Sequence, residues 1–408
     1  MQSLGGAVIP MQINTERISF LVGSEAVLTH MDQVAALPMF CDIIVDFLAD
    51  LSRRLMADER SRKYQDIMSY AYWIRKSSLE RVKEAYPKCG NNLGRGVSFH
   101  IAPSNVPVNF AVSMTSALLA GNSVVIRVSD RDFEQVTIIC DAINDLLSDR
   151  YKAISDRFCI VRYPHDDGIT GQLSGICDIR IIWGGDETIR RIRSTGLPPR
   201  AIELTFADRY SIALIDSDKY LTEDPQKVAR GFYTDTYYSD QNACSSPRLI
   251  VWLGNNKEMA KTRFFDSLSR LVKEQYIMKP VQAVDKYEAF CKLSMNGIAA
   301  KLIFDDNLVM RVLVNDLNSN FMDYKIGGGY FFEYDAESID EIVPLLGKQC
   351  QTVAVLGVDK NDVFKLVKDN GVRGVDRIVD LSQTMALEFV WDGYRMIEAM
   401  TRVVYIGQ

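Results

Sequence analysis

The sequence predicts an α/β protein of two doubly wound domains with mostly parallel sheets. From Gly96 onward, short apolar runs of strand length alternate with segments of helical period, which implies parallel crossovers. Pro107–Ala120 is apolar nearly all round, as a helix enclosed between layers must be. The alternation starts afresh after Phe206, so the expected division is 1–205, 206–390 and a tail over 391–408.

Taken in order, residues 1–30 mix Gly, short apolar runs and Thr/Ser, the composition of strands or an irregular arm. Phe40, Ile43, Ile44, Phe47, Leu48 and Leu51 recur at helical spacing. Tyr64, Ile67, Met68, Ala71 and Tyr72 repeat the pattern, giving two amphipathic helices between Leu37 and Tyr86. Strands are expected at Val97–Ala102, Ser123–Val128, Phe158–Tyr163, Ile179–Trp183 and Ala201–Phe206, with helices at Pro107–Ala120, Phe133–Leu147 and Asp186–Ser194. In the second half, strands are expected at Ser211–Ile215, Leu249–Leu253, near 302–304, at 309–314, 330–334 and 352–356. Helices are expected over 257–276, 339–346 and 362–368, and a short one after Trp391-Asp392-Gly393-Tyr394.

At 408 residues and 47% hydrophobic, the chain can bury large cores and has the composition of a globular protein. A formal charge of −6 offers no global basic field for nucleic acid. The N-terminus lacks a secretory pattern, and no apolar run reaches the ~18 residues of a membrane span, so a cytoplasmic location is expected. Eight cysteines are scattered without a CxxC pair, which suggests neither zinc nor a dithiol redox motif and fits a reducing compartment; no metal is expected. Only three histidines occur, none in a recognisable relation to a cysteine, which counts against a Cys-His hydrolase.

Cys244 is the candidate reaction centre. It stands among small polar residues in Asp240-Gln241-Asn242-Ala243-Cys244-Ser245-Ser246-Pro247-Arg248, just before an apolar strand. A rigid sheet can present a nucleophile from such a turn, although a cysteine is also a common core filler. Asn105, in Pro103-Ser104-Asn105-Val106-Pro107, lies where a strand feeds a helix, and its amide could steady an oxyanion or merely close a turn. Arg127 ends the next strand, where a guanidinium could reach a ribose 2′-phosphate or simply solvent. Gly184-Gly185 forms a strand, glycine turn, helix layout suited to a pyrophosphate; Asp186 would oppose it and Arg190, Arg191 and Arg193 follow.

The segments IAPSNVPVNF…LLAGNSVVIR and QNACSSPRLIVW resemble the aldehyde dehydrogenase superfamily, and more closely its LuxC-type acyl-CoA reductases. KQCQTVAVLG (Lys348 to Gly357) and GVDRIVDLSQTMALEFVWDGY (Gly374 to Tyr394) are similar to the same family. The resemblance runs from about residue 96 to the C-terminus. It implies an aldehyde-dehydrogenase-like fold in which NADPH faces the nucleophile across a cleft. Cys244 then matches the nucleophile and Asn105 the oxyanion-stabilising Asn, while Ser104, Arg127, Gly184 and Gly185 form the cofactor-binding set. The implied reaction is reduction of a long-chain acyl-CoA or other acyl thioester to an aldehyde through an acyl-cysteine. The implied partner is an acyl-protein synthetase, and a homo-oligomer is compatible with the family. An aldehyde-oxidising dehydrogenase and a non-catalytic acyl-accepting scaffold are the alternatives. Oxidising members use the glutamate of a Glu-Leu-Gly-Gly-Lys motif; here Glu203-Leu204 runs into Thr205-Phe206-Ala207, so Glu203 is expected to be a strand carboxylate rather than a hydrolytic base.

Overall fold

The computed structural model describes residues 13–86, 90–298, 300–304, 306–318 and 320–407; part of the strand or arm expected over 1–30 therefore lies outside the described residues. The chain forms two compact units, one ending at Ala207 and rejoined by 387–390 and 394–408, the other covering Asp208–Ala386 with Trp391–Gly393.

The first unit holds a six-stranded sheet made of β1 (Ser19–Val22), β2 (Val97–Ile101), β3 (Ser123–Arg127), β4 (Phe158–Arg162), β5 (Ile179–Trp183) and β6 (Ile202–Phe206) in the order β1-β4-β3-β2-β5-β6. All neighbours are parallel except β1, which runs antiparallel to β4 at the edge. Parallel strands covered on both faces read as unbroken apolar runs, and β3 and β5 are buried along their whole length. The chain enters at β2, moves to β3 and β4, then crosses back to β5, so the strand order reverses between β2 and β5. Such a reversal opens a crevice at the carboxyl ends of the strands.

The α-helices of eight or more residues in this unit are α1 (Asp42–Ala57), α2 (Gln65–Trp73), α3 (Lys76–Ala85), α4 (Asn109–Leu119), α5 (Glu134–Ser148), α6 (Asp167–Gly175) and α7 (Asp186–Arg193). The second predicted helix is two: Arg75 adopts extended angles (φ −62°, ψ 149°) and breaks it into α2 and α3. α4 is buried at nine of its eleven positions, as its uniform apolarity requires. It stops at Gly121 (φ +91°), where a Cβ would lie 2.0 Å from the Leu37 carbonyl oxygen, so only glycine fits. Fully buried Asn122 then accepts from the Arg95 and Gly96 N–H groups and donates to the carbonyls of Ala117 and Met400. One carboxamide thereby ties the C-terminal segment to the root of β2.

The second unit holds seven strands: β7 (Tyr210–Asp216), β8 (Pro247–Leu253), β9 (Ala300–Phe304), β10 (Met310–Val314), β11 (Tyr330–Asp335), β12 (Cys350–Leu356) and β13 (Arg377–Asp380). Their order is β9-β10-β11-β8-β7-β12-β13, parallel throughout except for edge strand β9. Its α-helices of eight or more residues are α8 (Pro225–Asp235), α9 (Lys257–Gln275), α10 (Pro280–Met295) and α11 (Lys360–Asp369); the stretch predicted as a helix over 339–346 is a 3₁₀ helix, and the tail helix, in the first unit, is the single turn Met396–Ala399. One face of the sheet packs Phe232, Tyr237, Trp252, Phe264 and Phe331, and the other Leu249, Val251, Val312, Phe332 and Val353.

Candidate functional site

Cys244 sits on the turn that enters β8, at the amino edge of the second unit's sheet. The turn is locked from several directions. Asp240 and Gln241 both occupy the left-handed region (φ +52° and +57°), which folds the chain back sharply. The fully buried Gln241 side chain donates to the carbonyls of Pro247 and Tyr330, both at 3.1 Å, and accepts from the N–H groups of Gly329 at 3.0 Å and Tyr330 at 3.2 Å. Arg248 holds the Gln241 carbonyl at 3.0 Å, and the Ser211 hydroxyl holds the Cys244 carbonyl at 2.7 Å. Among the described residues, the N–H groups of Cys244 and Ser245 meet no acceptor, which leaves them available to an anion.

Cys244 is half-buried. Burial nevertheless pushes its pKa up. The Arg209 N–H, hydrogen-bonded to the sulfur, opposes this; Asp392 and Asp208 add to it, and Lys325 counters them. A nucleophilic cysteine is commonly expected to carry a lowered pKa, and the second unit by itself does the reverse. Lys325 is engaged with Asp208 at 3.0 Å, while Arg209 is committed to Asp376 and Asp392. Cys244 alkylation should therefore still climb about tenfold per pH unit above neutrality, as ionisation of a thiol with a raised pKa demands. Asp208→Asn removes a negative charge and frees Lys325, so its profile should shift to lower pH. An unshifted profile, read on the Cys244 peptide by mass spectrometry, would contradict this electrostatic picture.

In the first unit, Ser104 and Asn105 are exposed on the loop after β2, and Gly184-Gly185 forms the turn after β5. These two loops flank the strand reversal. A Cβ on Gly185 would meet nothing within 4 Å, and the start of α7 is exposed, so backbone N–H groups there are open to a pyrophosphate despite Asp186 and Glu187 in the first turn. Arg127 is buried at the carboxyl end of neighbouring β3. Its guanidinium donates to the Tyr163 carbonyl at 3.2 Å, lies over the Tyr163 ring and is 3.7 Å from Asp130. An opened glycine turn, a strand reversal and an arginine on the adjacent strand end fit a dinucleotide.

Glu203 is tied to Arg180 at 2.5 Å and to Arg193 at 2.6 Å, with Arg180 itself buried. Buried His100 bridges the hydroxyls of Ser98 and Ser113, and burial pushes its pKa down to about 3, so it stays neutral and carries no proton for catalysis. All three histidines precede residue 208, leaving none in the unit that holds Cys244.

The family model described as acyl-CoA reductase (LuxC) matches residues 45–403. The chain belongs to the LuxC acyl-CoA reductase family. Within the curated relatives it resembles, the long-chain acyl-protein thioester reductase of Aliivibrio fischeri is 26% identical over 293 residues, covering 70% of this chain and 58% of that one. The protein of the same name from Photorhabdus laumondii is 24% identical, covering 79% and 64%. This LuxC-family chain thus spans about three fifths of the length of these relatives. Among solved structures, lactaldehyde dehydrogenase superposes with a TM-score of 0.65 at 12% identity, covering 94% of this chain and 90% of its own. The benzaldehyde dehydrogenase of Corynebacterium glutamicum gives 0.63 at 13% identity, covering 95% and 94%. The LuxC-family fold is accordingly that of the aldehyde dehydrogenases.

Local sequence does not mark Gln241, Ser211, Arg209 or Asp392, which surround Cys244, as site residues. Gln241 carried a signal, since it opens the quoted QNACSSPR segment; Arg209 and Asp392 come from distant parts of the chain and meet only in the fold.

Proposed function

We propose that this protein reduces a long-chain acyl thioester, acyl-CoA or a protein-bound acyl group, to the aldehyde with NADPH. The observation that carries the reading is Cys244, half-buried on a braced turn, whose own N–H meets no acceptor among the described residues. Its thiolate attacks the thioester carbonyl, and the oxyanion is met by the Cys244 N–H; Asn105 is the candidate for a further oxyanion donor. The carrier thiolate leaves without an acid, in keeping with the absence of histidine from this unit. Ser104, Gly184, Gly185 and Arg127 would hold the nicotinamide dinucleotide, which when bound supplies the hydride. Cys244 is then released as its thiolate as the C–S bond breaks and the aldehyde departs. The two arginines on Glu203 support reduction over aldehyde oxidation, because an ion-paired carboxylate is poorly placed to activate water. The long-chain acyl-protein thioester reductases among the relatives support a long acyl chain and a protein-bound acyl thioester as donor.

The test is nicotinamide consumption with a graded panel of acyl-CoA and acyl-carrier thioesters, with the aldehyde identified directly. Aldehyde formed from a long-chain thioester supports the proposal. Turnover of free aldehyde with NADP⁺ alone would assign an oxidising dehydrogenase, and acylation without turnover would assign a scaffold. For the cofactor, Arg127→Ala should weaken NADPH about tenfold or more while sparing NADH, the loss of one charged phosphate contact. Equal weakening of both would place 2′-phosphate recognition elsewhere.

A further inference from the structure

The segment after β13, Leu381–Ala386, is held by contacts that the reaction above does not use. Asp235, the last residue of α8, is fully buried. Its carboxylate accepts from the Ser382 N–H at 2.6 Å and the Thr384 N–H at 3.1 Å. Ser382 adopts a left-handed backbone (φ +81°) and packs on Gly231, where any Cβ would lie 1.7 Å from the Ser382 hydroxyl. On the other side Arg377 donates to the carbonyls of Thr384 at 3.1 Å and Ala386 at 3.3 Å. The clamped loop sets Met385 so that its sulfur accepts from the Ser245 hydroxyl at 3.5 Å, and Ser245 is the residue after the nucleophile.

We propose that Asp235 is a positioning residue for the nucleophile turn: by gripping the backbone of Ser382 and Thr384 it seats Met385 against Ser245 and so fixes where Cys244 stands. This rests on the reading of Cys244 as the nucleophile. A neutral side chain would fill the space at lower desolvation cost, so a buried carboxylate without a cation calls for an explanation. Among the described residues no ion pair reaches Asp235: Arg377 spans the two carbonyls and the Trp391 ring, and Asp380 is paired with Lys360 at 2.7 Å. At the far end of this path the nucleophile turn brings in Cys244, with Arg209, Asp392, Asp208 and Lys325 acting on it.

Burial pushes the Asp235 pKa up to about 6, against the pull of the backbone N–H groups. Above that pH both oxygens accept and the loop is gripped. Below it, a proton on one oxygen confronts an N–H donor and the grip weakens. The nucleophile turn then loses its Met385 support on acidification, in addition to the ordinary loss of thiolate.

The experiment measures iodoacetamide alkylation of the Cys244 peptide by mass spectrometry from about pH 5 to about pH 8, a window bracketing such a carboxyl, on the full chain, Asp235→Asn and Met385→Ala. The native profile should break near pH 6, falling more steeply below it than thiol ionisation alone allows. Both folded variants should lose the break. In thioester reduction they should lower kcat about tenfold with KM for NADPH unchanged, the signature of a misplaced reacting group. If Asp235→Asn does not fold, Met385→Ala alone decides, since it leaves the clamp and removes only the contact with Ser245. A folded variant that keeps the native break and kcat overturns the proposal. If no thioester is reduced by any form, yet the break is present in the native chain and absent from the variants, the proposed reaction fails and the positioning role stands.

Discussion

Cys244→Ser should lower thioester turnover by about 10⁴-fold or more, the scale expected on removing a covalent nucleophile. Serine keeps the shape of the turn, including the Ser211 hydrogen bond to the residue 244 carbonyl, so the loss reads chemistry rather than folding. A hydroxyl needs a base to become nucleophilic, and the unit that carries residue 244 contains no histidine to serve as one. NADPH binding should be unchanged, because the residues proposed to hold it, Ser104, Arg127, Gly184 and Gly185, belong to the other unit. The check is labelled acyl transfer in a single turnover together with a nicotinamide fluorescence titration. Undiminished covalent labelling of the Ser variant would remove the assignment.

The second large effect belongs to Gln241→Ala. One buried carboxamide satisfies two backbone carbonyls and two backbone N–H groups, and alanine would strand all four in a dry site. Each orphaned group costs about 1–3 kcal/mol with partial relief by relaxation, so a destabilisation of about 2–4 kcal/mol is expected in denaturant unfolding. The left-handed pair Asp240-Gln241 would also lose its anchor to β11, letting Cys244 wander. A drop in kcat of about 10²-fold should follow, the usual consequence of misplacing a reacting group by an ångström. Gln241→Glu should not rescue it, since a carboxylate would face the carbonyls of Pro247 and Tyr330. A variant with native stability and native kcat would show that the turn is braced by other contacts.

The parallel core was legible because buried strands declare themselves as unbroken apolar runs, and β2 to β8 fall where those runs do. α10 was not legible because its pattern is inverted. Val281, Val284 and Met295 face solvent while Lys286 is fully buried, donating to the Asn307 carbonyl at 2.6 Å, so a charge interrupts the inner face that Ala289, Phe290 and Leu293 complete. α8 was missed for the opposite reason: its short inner stripe of Val228, Ala229 and Phe232 is interrupted by Gly231, which is there to admit Ser382. Trp391-Asp392-Gly393, read as part of a tail, groups with the second unit, where Asp392 joins Arg209 and Gln351. Local motifs could point to Cys244 and Asn105. The groups that tune and brace Cys244 lie up to about 150 residues away, and only the strand order brings Arg209, Cys350 and Asp392 to one sheet edge.

The most direct measurement is mass spectrometry of the protein after incubation with a long-chain acyl thioester in the absence of nicotinamide. The expected result is one acyl group on the Cys244 peptide, discharged as aldehyde when NADPH is added. An acyl group on a different residue, or aldehyde formation with Cys244 never modified, would contradict the account.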